Sequence, residues 1–203
     1  MNITLDLHDF SVVNNRLDVL LTLRETFPDF KVSLFTVPFD KVEDWGPCLL
    51  KKEYLRQIKE NLDWIQIIPH GMLHTGREVA KWDYNYTKDA ALPIIIEEFK
   101  ELGLPIVKGF CAPHWKWNEG VVRALDDAGW WGAVWKEEAM PYTKRFYKAT
   151  TCINEDFPLD QDLKLHGHVY GTRNDLAKCC YNLLRLPRDT KFHFVTDYLE
   201  DLK

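Results

Sequence analysis

Strand-like and helix-like segments alternate along almost the whole chain, and the strand-like ones end in Asp, His or Pro. Ile3, Leu5 and Leu7 alternate with polar residues over 2–7 and run into His8-Asp9. Leu17, Leu20, Leu21 and Leu23 fall at helical spacing within 14–26, and Pro28-Asp29 closes that segment. A second strand is expected over 31–37, an amphipathic helix over 52–62 and a third strand over 64–68, which stops at Pro69-His70. Residues 75–86 read as a polar, aromatic loop. Residues 87–102 read as a long helix with Pro93 near its start or at a kink and Gly103 as its stop. A fourth strand over 105–110 leads into Cys111-Ala112-Pro113-His114-Trp115, and Asn118 is placed to cap a helix over 119–128 that Gly129 ends. Strands over 131–135, 147–152 and 163–169, a helix over 174–186, a strand over 191–195 and a closing helix over 196–202 complete the chain. This alternation predicts a parallel α/β sheet, closed as a barrel or doubly wound. In both, ligands bind at the carboxyl ends of the strands.

Composition narrows the class. The 203 residues, 46% hydrophobic and 28% charged, predict one domain over 1–203 with a sizeable core, and eight Trp with eleven Phe make that core aromatic. A net charge of −5 without basic blocks argues against a nucleic-acid partner, and no apolar run reaches the length of a membrane span. Five irregularly spaced cysteines read as reduced thiols, and the start of the chain carries no basic, apolar leader, so a cytoplasmic location is expected.

The chemistry-bearing residues gather where that architecture places ligands. His70 and His74 stand four apart, which one helical turn would bring to a single face. With Asp9 they make one carboxylate and two imidazoles, a catalytic zinc set that leaves a position for water. Asp6 and His8 adjoin Asp9 and supply candidate bases. His166 and His168 share a strand face if Gly167 does not break that strand. Cys111 reads as a small buried residue, and the Trp residues as core with one or two lining a site.

In order, Leu7-His8-Asp9-Phe10-Ser11, Pro69-His70-Gly71-Met72-Leu73-His74, Phe110-Cys111-Ala112-Pro113-His114-Trp115 and Leu163-Lys164-Leu165-His166-Gly167-His168 resemble the motifs of the polysaccharide deacetylase (NodB homology) superfamily. The resemblance covers nearly the whole chain. It implies a distorted (β/α) barrel with about seven parallel strands. It also implies a hydrolase that removes acetyl groups from an N-acetylated carbohydrate or similar small amide, using one divalent metal, zinc foremost. By it Asp9, His70 and His74 hold the metal, and Pro113, His114 and Trp115 wall the substrate groove. His166 or His168 would protonate the leaving amine. Two positions depart from the pattern: His8 stands where the family has its catalytic Asp, with Asp6 as the other candidate base, and Cys111 stands where the family has the Arg that orients that Asp. Those departures leave a rival, a catalytically inactive barrel that binds carbohydrate or metal.

Overall fold

The computed structural model describes residues 1–11, 15–39, 48–136, 143–170 and 175–201. The first residue of the helix expected over 14–26, the first of that expected over 174–186 and the last of that expected over 196–202 lie outside them. Ten strands and six helices follow in order: β1 (Asn2–Phe10), α1 (Leu17–Thr26), β2 (Val32–Thr36), α2 (Cys48–Lys59), β3 (Ile65–Pro69), α3 (Tyr84–Tyr86), α4 (Leu92–Glu101), β4 (Gly109–Phe110), α5 (Glu119–Asp127), β5 (Trp131–Trp135), β6 (Arg145–Ala149), β7 (Thr151–Cys152), β8 (Leu163–His168), α6 (Leu176–Leu184), β9 (Lys191–His193) and β10 (Glu200–Asp201).

The parallel pairings run around a ring. β1 pairs with β2, β2 with β3, β4 with β5, β5 with β6, β7 with β8, and β8 returns to β1. Two seams complete it. Between β3 and β4 there is one bridge, Ile67 to Ile106, with Val107 N–H donating to the Ile67 carbonyl and Cys111 N–H to that of Pro69. The 145–152 stretch pairs with β5 through β6 and with β8 through β7, while antiparallel β10 covers the other edge of β6. Counting β6 and β7 as one bent strand, seven parallel strands among the described residues make the ring, and β9 pairs in parallel with Asn2–Thr4 of β1 off that path. This is the distorted (β/α) barrel that the motifs implied.

The period-two pattern of the strands sorts the core into two layers. Ile3, Leu5 and Leu7 of β1 join Leu20, Leu23, Ile95 and Phe99 in the layer beneath the helices. Phe35, Ile68, Trp131, Ala133, Tyr147 and Ala149 fill a second, inner cluster, with Val195 among them. Val195 N–H donates to Ser33 Oγ and Gln66 Nε2 to Thr196 Oγ1, so a 3-10 turn, Val195–Tyr198, is tied to the ends of the inner cluster opposite the histidines. The closing helix expected over 196–202 is therefore replaced by this turn and by β10, because the barrel's own polar groups and the free edge of β6 recruit the segment.

Other differences have local causes. The expected long helix passes through one π turn, Thr87–Ala91, before α4, at the place where Pro93 has no N–H to offer the Asp89 carbonyl. The fourth strand shrinks to two residues. The loop over 75–86 carries a 3-10 turn, Val79–Lys81, and the single turn of α3. Asn118 caps α5 as expected, accepting from Val121 N–H. Cys111 and Cys179 are buried and Cys152 and Cys180 half-buried, and among the described residues no helix is long and apolar enough to cross a membrane.

Candidate active site

Two strand ends and a loop meet at the mouth of the barrel. β1 delivers Asp9, β3 delivers His70, and the loop after β3 brings His74 back. One ligand atom of each lies within 4.8 Å of the other two. Asp9 Oδ1 is 2.9 Å from His74 Nε2 and 3.4 Å from His70 Nε2, yet its geometry to both falls short of a hydrogen bond and the atom is buried without a partner. A buried carboxylate oxygen facing two imidazole nitrogens is costly unless something bonds it, and a cation shared by all three atoms would. His70 Nδ1 lies 3.0 Å from the Cys111 carbonyl, so that nitrogen carries the proton and donates. The Nε2 lone pair is thereby turned toward Asp9, the outer-partner arrangement that metal-bound histidines use. Burial alone would raise the Asp9 carboxyl, but the two imidazoles facing it, His70 and His74, outweigh burial and hold the group far below the ordinary carboxylate range.

The backbone there is strained. Among the described residues five non-glycine positions have positive φ, and four border this site: Asp9 (59°), His74 (52°), His114 (55°) and Trp115 (57°). Such conformations persist only where the surroundings enforce them and gather at functional sites. No helical turn joins His70 to His74, contrary to the sequence expectation. The chain bends through Gly71 (φ 68°), and Glu78 accepts from the N–H groups of Met72, Leu73 and His74 at 2.9–3.3 Å.

Deeper in the barrel, β1 and β8 run in register, setting Asp6 beside His166 and His8 beside His168. Gly167 stays in strand opposite Leu7, so both histidines face inward, their rings 4.9 Å apart. Asp6 Oδ1 accepts from His166 Nδ1 at 2.6 Å and lies 3.3 Å from His8 Nε2. With that oxygen engaged inside the strand, Asp6 supports His166. Behind it, Thr4 Oγ1 and the Tyr147 hydroxyl are 2.8 Å apart, and burial followed by the Asp6 charge pushes the Tyr147 phenol well above its ordinary range. Neither Thr4 nor Tyr147 carries a signal in sequence, because only the barrel brings residues 143 positions apart into contact.

His8 is fully enclosed. Phe35, His70, Trp115 and His166 ring it, with centroids 4.4, 4.6, 4.9 and 4.6 Å away. Burial, then the neighbouring His166, His70 and His168, lower its pKa well below the usual histidine value, so the ring is neutral. The solvent side of the site comprises Asp9, His74 and His168, whose side chains are 28%, 25% and 26% exposed. His168 Nε2 comes within 4.0 Å of Asp9 Oδ2. The 3-10 turn Pro113–Trp115 forms the adjoining wall: His114 lies 5.0 Å from His74, and Trp115 packs on His8. Trp135, one of the tryptophans read as core or site lining, lies 5.1 Å from His166. Six of the seven histidines thus share one cluster, and His193 lies apart, bonded to Asn2.

No protein-family model matches the sequence, and no curated protein matches it. Solved structures do match in shape. The chitin deacetylase of the fungal pathogen Colletotrichum lindemuthianum superposes with a TM-score of 0.63 at 14% identity, covering 99% of this chain and 88% of that one. A family 4 acetyl xylan esterase from Clostridium thermocellum, in complex with a cobalt ion, gives 0.57 at 13% identity over 97% and 89% of the two chains. A family 4 pseudoenzyme from Bacillus anthracis gives 0.57 at 14% identity over 96% and 64%, and a mutant of it with restored enzymatic activity gives 0.58. From its ring of parallel strands to the placing of its strand ends, this chain has the fold of the polysaccharide deacetylases, carbohydrate esterase family 4.

Proposed function

We propose that the chain is a metal-dependent hydrolase that removes an acetyl group from an N-acetylated carbohydrate or similar small amide. One observation carries the reading: the buried, unpartnered Asp9 Oδ1 lies between His70 Nε2 and His74 Nε2. Asp9, His70 and His74 would hold one divalent ion, zinc foremost, with the exposed side of the set left to water and substrate. Such an ion supplies Lewis acidity toward the amide carbonyl and lowers the pKa of water.

The remaining roles fall to the chain's own groups. His8, kept neutral by burial, accepts the proton of the attacking water. His166 is the proton donor to the leaving amine, because Asp6 accepts from its Nδ1–H and leaves Nε2 as the exchanging atom. His168 shapes the mouth beside Asp9. Pro113, His114 and Trp115 form the groove wall, with the Trp115 and Trp135 faces available to a sugar ring.

The test pairs metal analysis with acetate release from N-acetylated sugar oligomers. Wild type is expected to carry one divalent ion per chain and to turn over. His8→Ala should keep the ion and lose roughly 10²- to 10⁴-fold in rate, the usual loss for a general base. His166→Ala should lose more than His168→Ala. An ion-free wild type that releases no acetate discards the proposal.

A second reading, a non-catalytic carbohydrate-binding barrel, is favoured by Cys111. Its side chain is buried in the inner cluster and cannot supply the guanidinium of the family's third motif. Sugar binding by the metal-loaded wild type without acetate release would select that reading.

A further inference from the structure

We infer that Glu78 is the positioning residue of the metal-binding loop: its carboxylate bonds three successive backbone N–H groups and so fixes His74 opposite Asp9. The inference rests on the metal reading above and adds a residue that the motifs do not contain.

His74 needs outside support. It has no regular secondary structure, its φ is 52°, and a non-glycine residue there carries strain that local bonding must offset. Glu78 supplies that bonding. Its Oε1 accepts from Met72 N–H at 2.9 Å, Leu73 N–H at 3.3 Å and His74 N–H at 3.2 Å, and its Oε2 from Leu73 N–H at 3.1 Å. Consecutive N–H groups converging on one oxygen make a backbone anion nest, and bonds to an ionised acceptor are the stronger kind. Glu78 N–H in turn donates to the Thr75 carbonyl at 2.9 Å, closing the loop on itself.

A second observation shows that the loop is shaped around this carboxylate. A Cβ on Gly71 would stand 2.2 Å from Glu78 Oε1 and 2.6 Å from Pro113 Cγ, and Gly71 has φ 68°. Glycine is thus required where the loop leaves His70, and Glu78 with Pro113 fills the space a side chain would take. The two ligand histidines are therefore secured differently. His70 is held through its ring by the Cys111 carbonyl; His74 is held through its backbone by Glu78.

Zn2+ titration against a chromophoric chelator, on wild type, Glu78→Ala and Glu78→Gln and on His74→Ala with and without Glu78→Ala, tests the assignment. Loss of an outer partner of a metal ligand typically costs about 10- to 100-fold in affinity. Glu78→Ala should lose that much, and Glu78→Gln, which keeps a neutral acceptor, should lose less. In the His74→Ala background, Glu78→Ala should change nothing further, because the residue acts through His74. Unchanged affinity in Glu78→Ala, or an equal loss in both backgrounds, overturns the assignment. Amide hydrogen exchange in the metal-free protein provides an independent arm. Exchange at Met72, Leu73 and His74 should quicken in Glu78→Ala, and unchanged exchange overturns the positioning contact. A wild type that binds no Zn2+ but shows quickened exchange in the variant overturns the metal reading and leaves the contact standing.

Discussion

At the scale of single residues, the barrel interior is a line of polar groups on alternate positions of β1: Thr4, Asp6 and His8, buried against Tyr147, His166 and Phe35. A burial this complete titrates. The Tyr147 phenol is held above its ordinary pKa, first by burial and then by Asp6. In the unfolded chain it ionises near pH 10. Above that pH the folded state retains a proton that the unfolded state has lost, so stability falls as pH rises, until the folded phenol also ionises. Tyr147→Phe should flatten the decline above pH 10 by up to about 1.4 kcal/mol per pH unit. Urea melts of both proteins from pH 9 to 11 would show it. Parallel declines would mean that Tyr147 ionises normally.

At the scale of elements, the site depends on how strands end. β1 is broken next to its last residue by Asp9 in a left-handed conformation, β3 stops at Pro69, and a two-residue β4 gives way to the Pro113–Trp115 turn. Asn118 follows shortly after that turn. Its Oδ1 caps α5 at Val121 N–H, while its Nδ2 donates to the carbonyls of Val79, Ala80 and Trp82 at 3.2, 3.1 and 2.6 Å. One side chain therefore ties the start of α5 to the segment between His74 and α3. Asn118→Ala removes the cap and those donors together, and a loss of about 1–2 kcal/mol is expected. For a chain of this size that lowers the melting temperature by roughly 2–8 °C, which calorimetry would measure. A change of under a degree would show that water replaces the amide.

At the scale of the whole molecule, stability and chemistry occupy different ends of the barrel. The apolar layers lie between the strands and helices and inside the barrel, while Asp9 and His74 stand at its mouth and belong to neither. His74→Ala should therefore weaken metal binding, without abolishing it, with little change in the fold. The check is a comparison of far-UV circular dichroism and melting temperature between the metal-free variant and metal-free wild type. Loss of secondary structure in the variant would make this histidine part of the folding core.

The sequence by itself determined the alternation of strands and helices, and with it the parallel sheet, because local periodicity follows from which face of each element is buried. The Asn118 cap and the placing of Asp9, His70 and the 163–168 histidines at or near strand ends were legible for the same reason, each being decided within a few residues. The closure of the ring was not. It depends on a single bridge at Ile106 and on a bend between β6 and β7, contacts between segments distant in sequence. Nor could the sequence pair Asp6 with His166, since that contact follows from strand register across 160 residues. The spacing of His70 and His74 suggested a helical turn. Tertiary structure supplied a glycine-led bend instead, because the carboxylate of Glu78 offers three backbone donors in one loop what a helix would have offered them one by one.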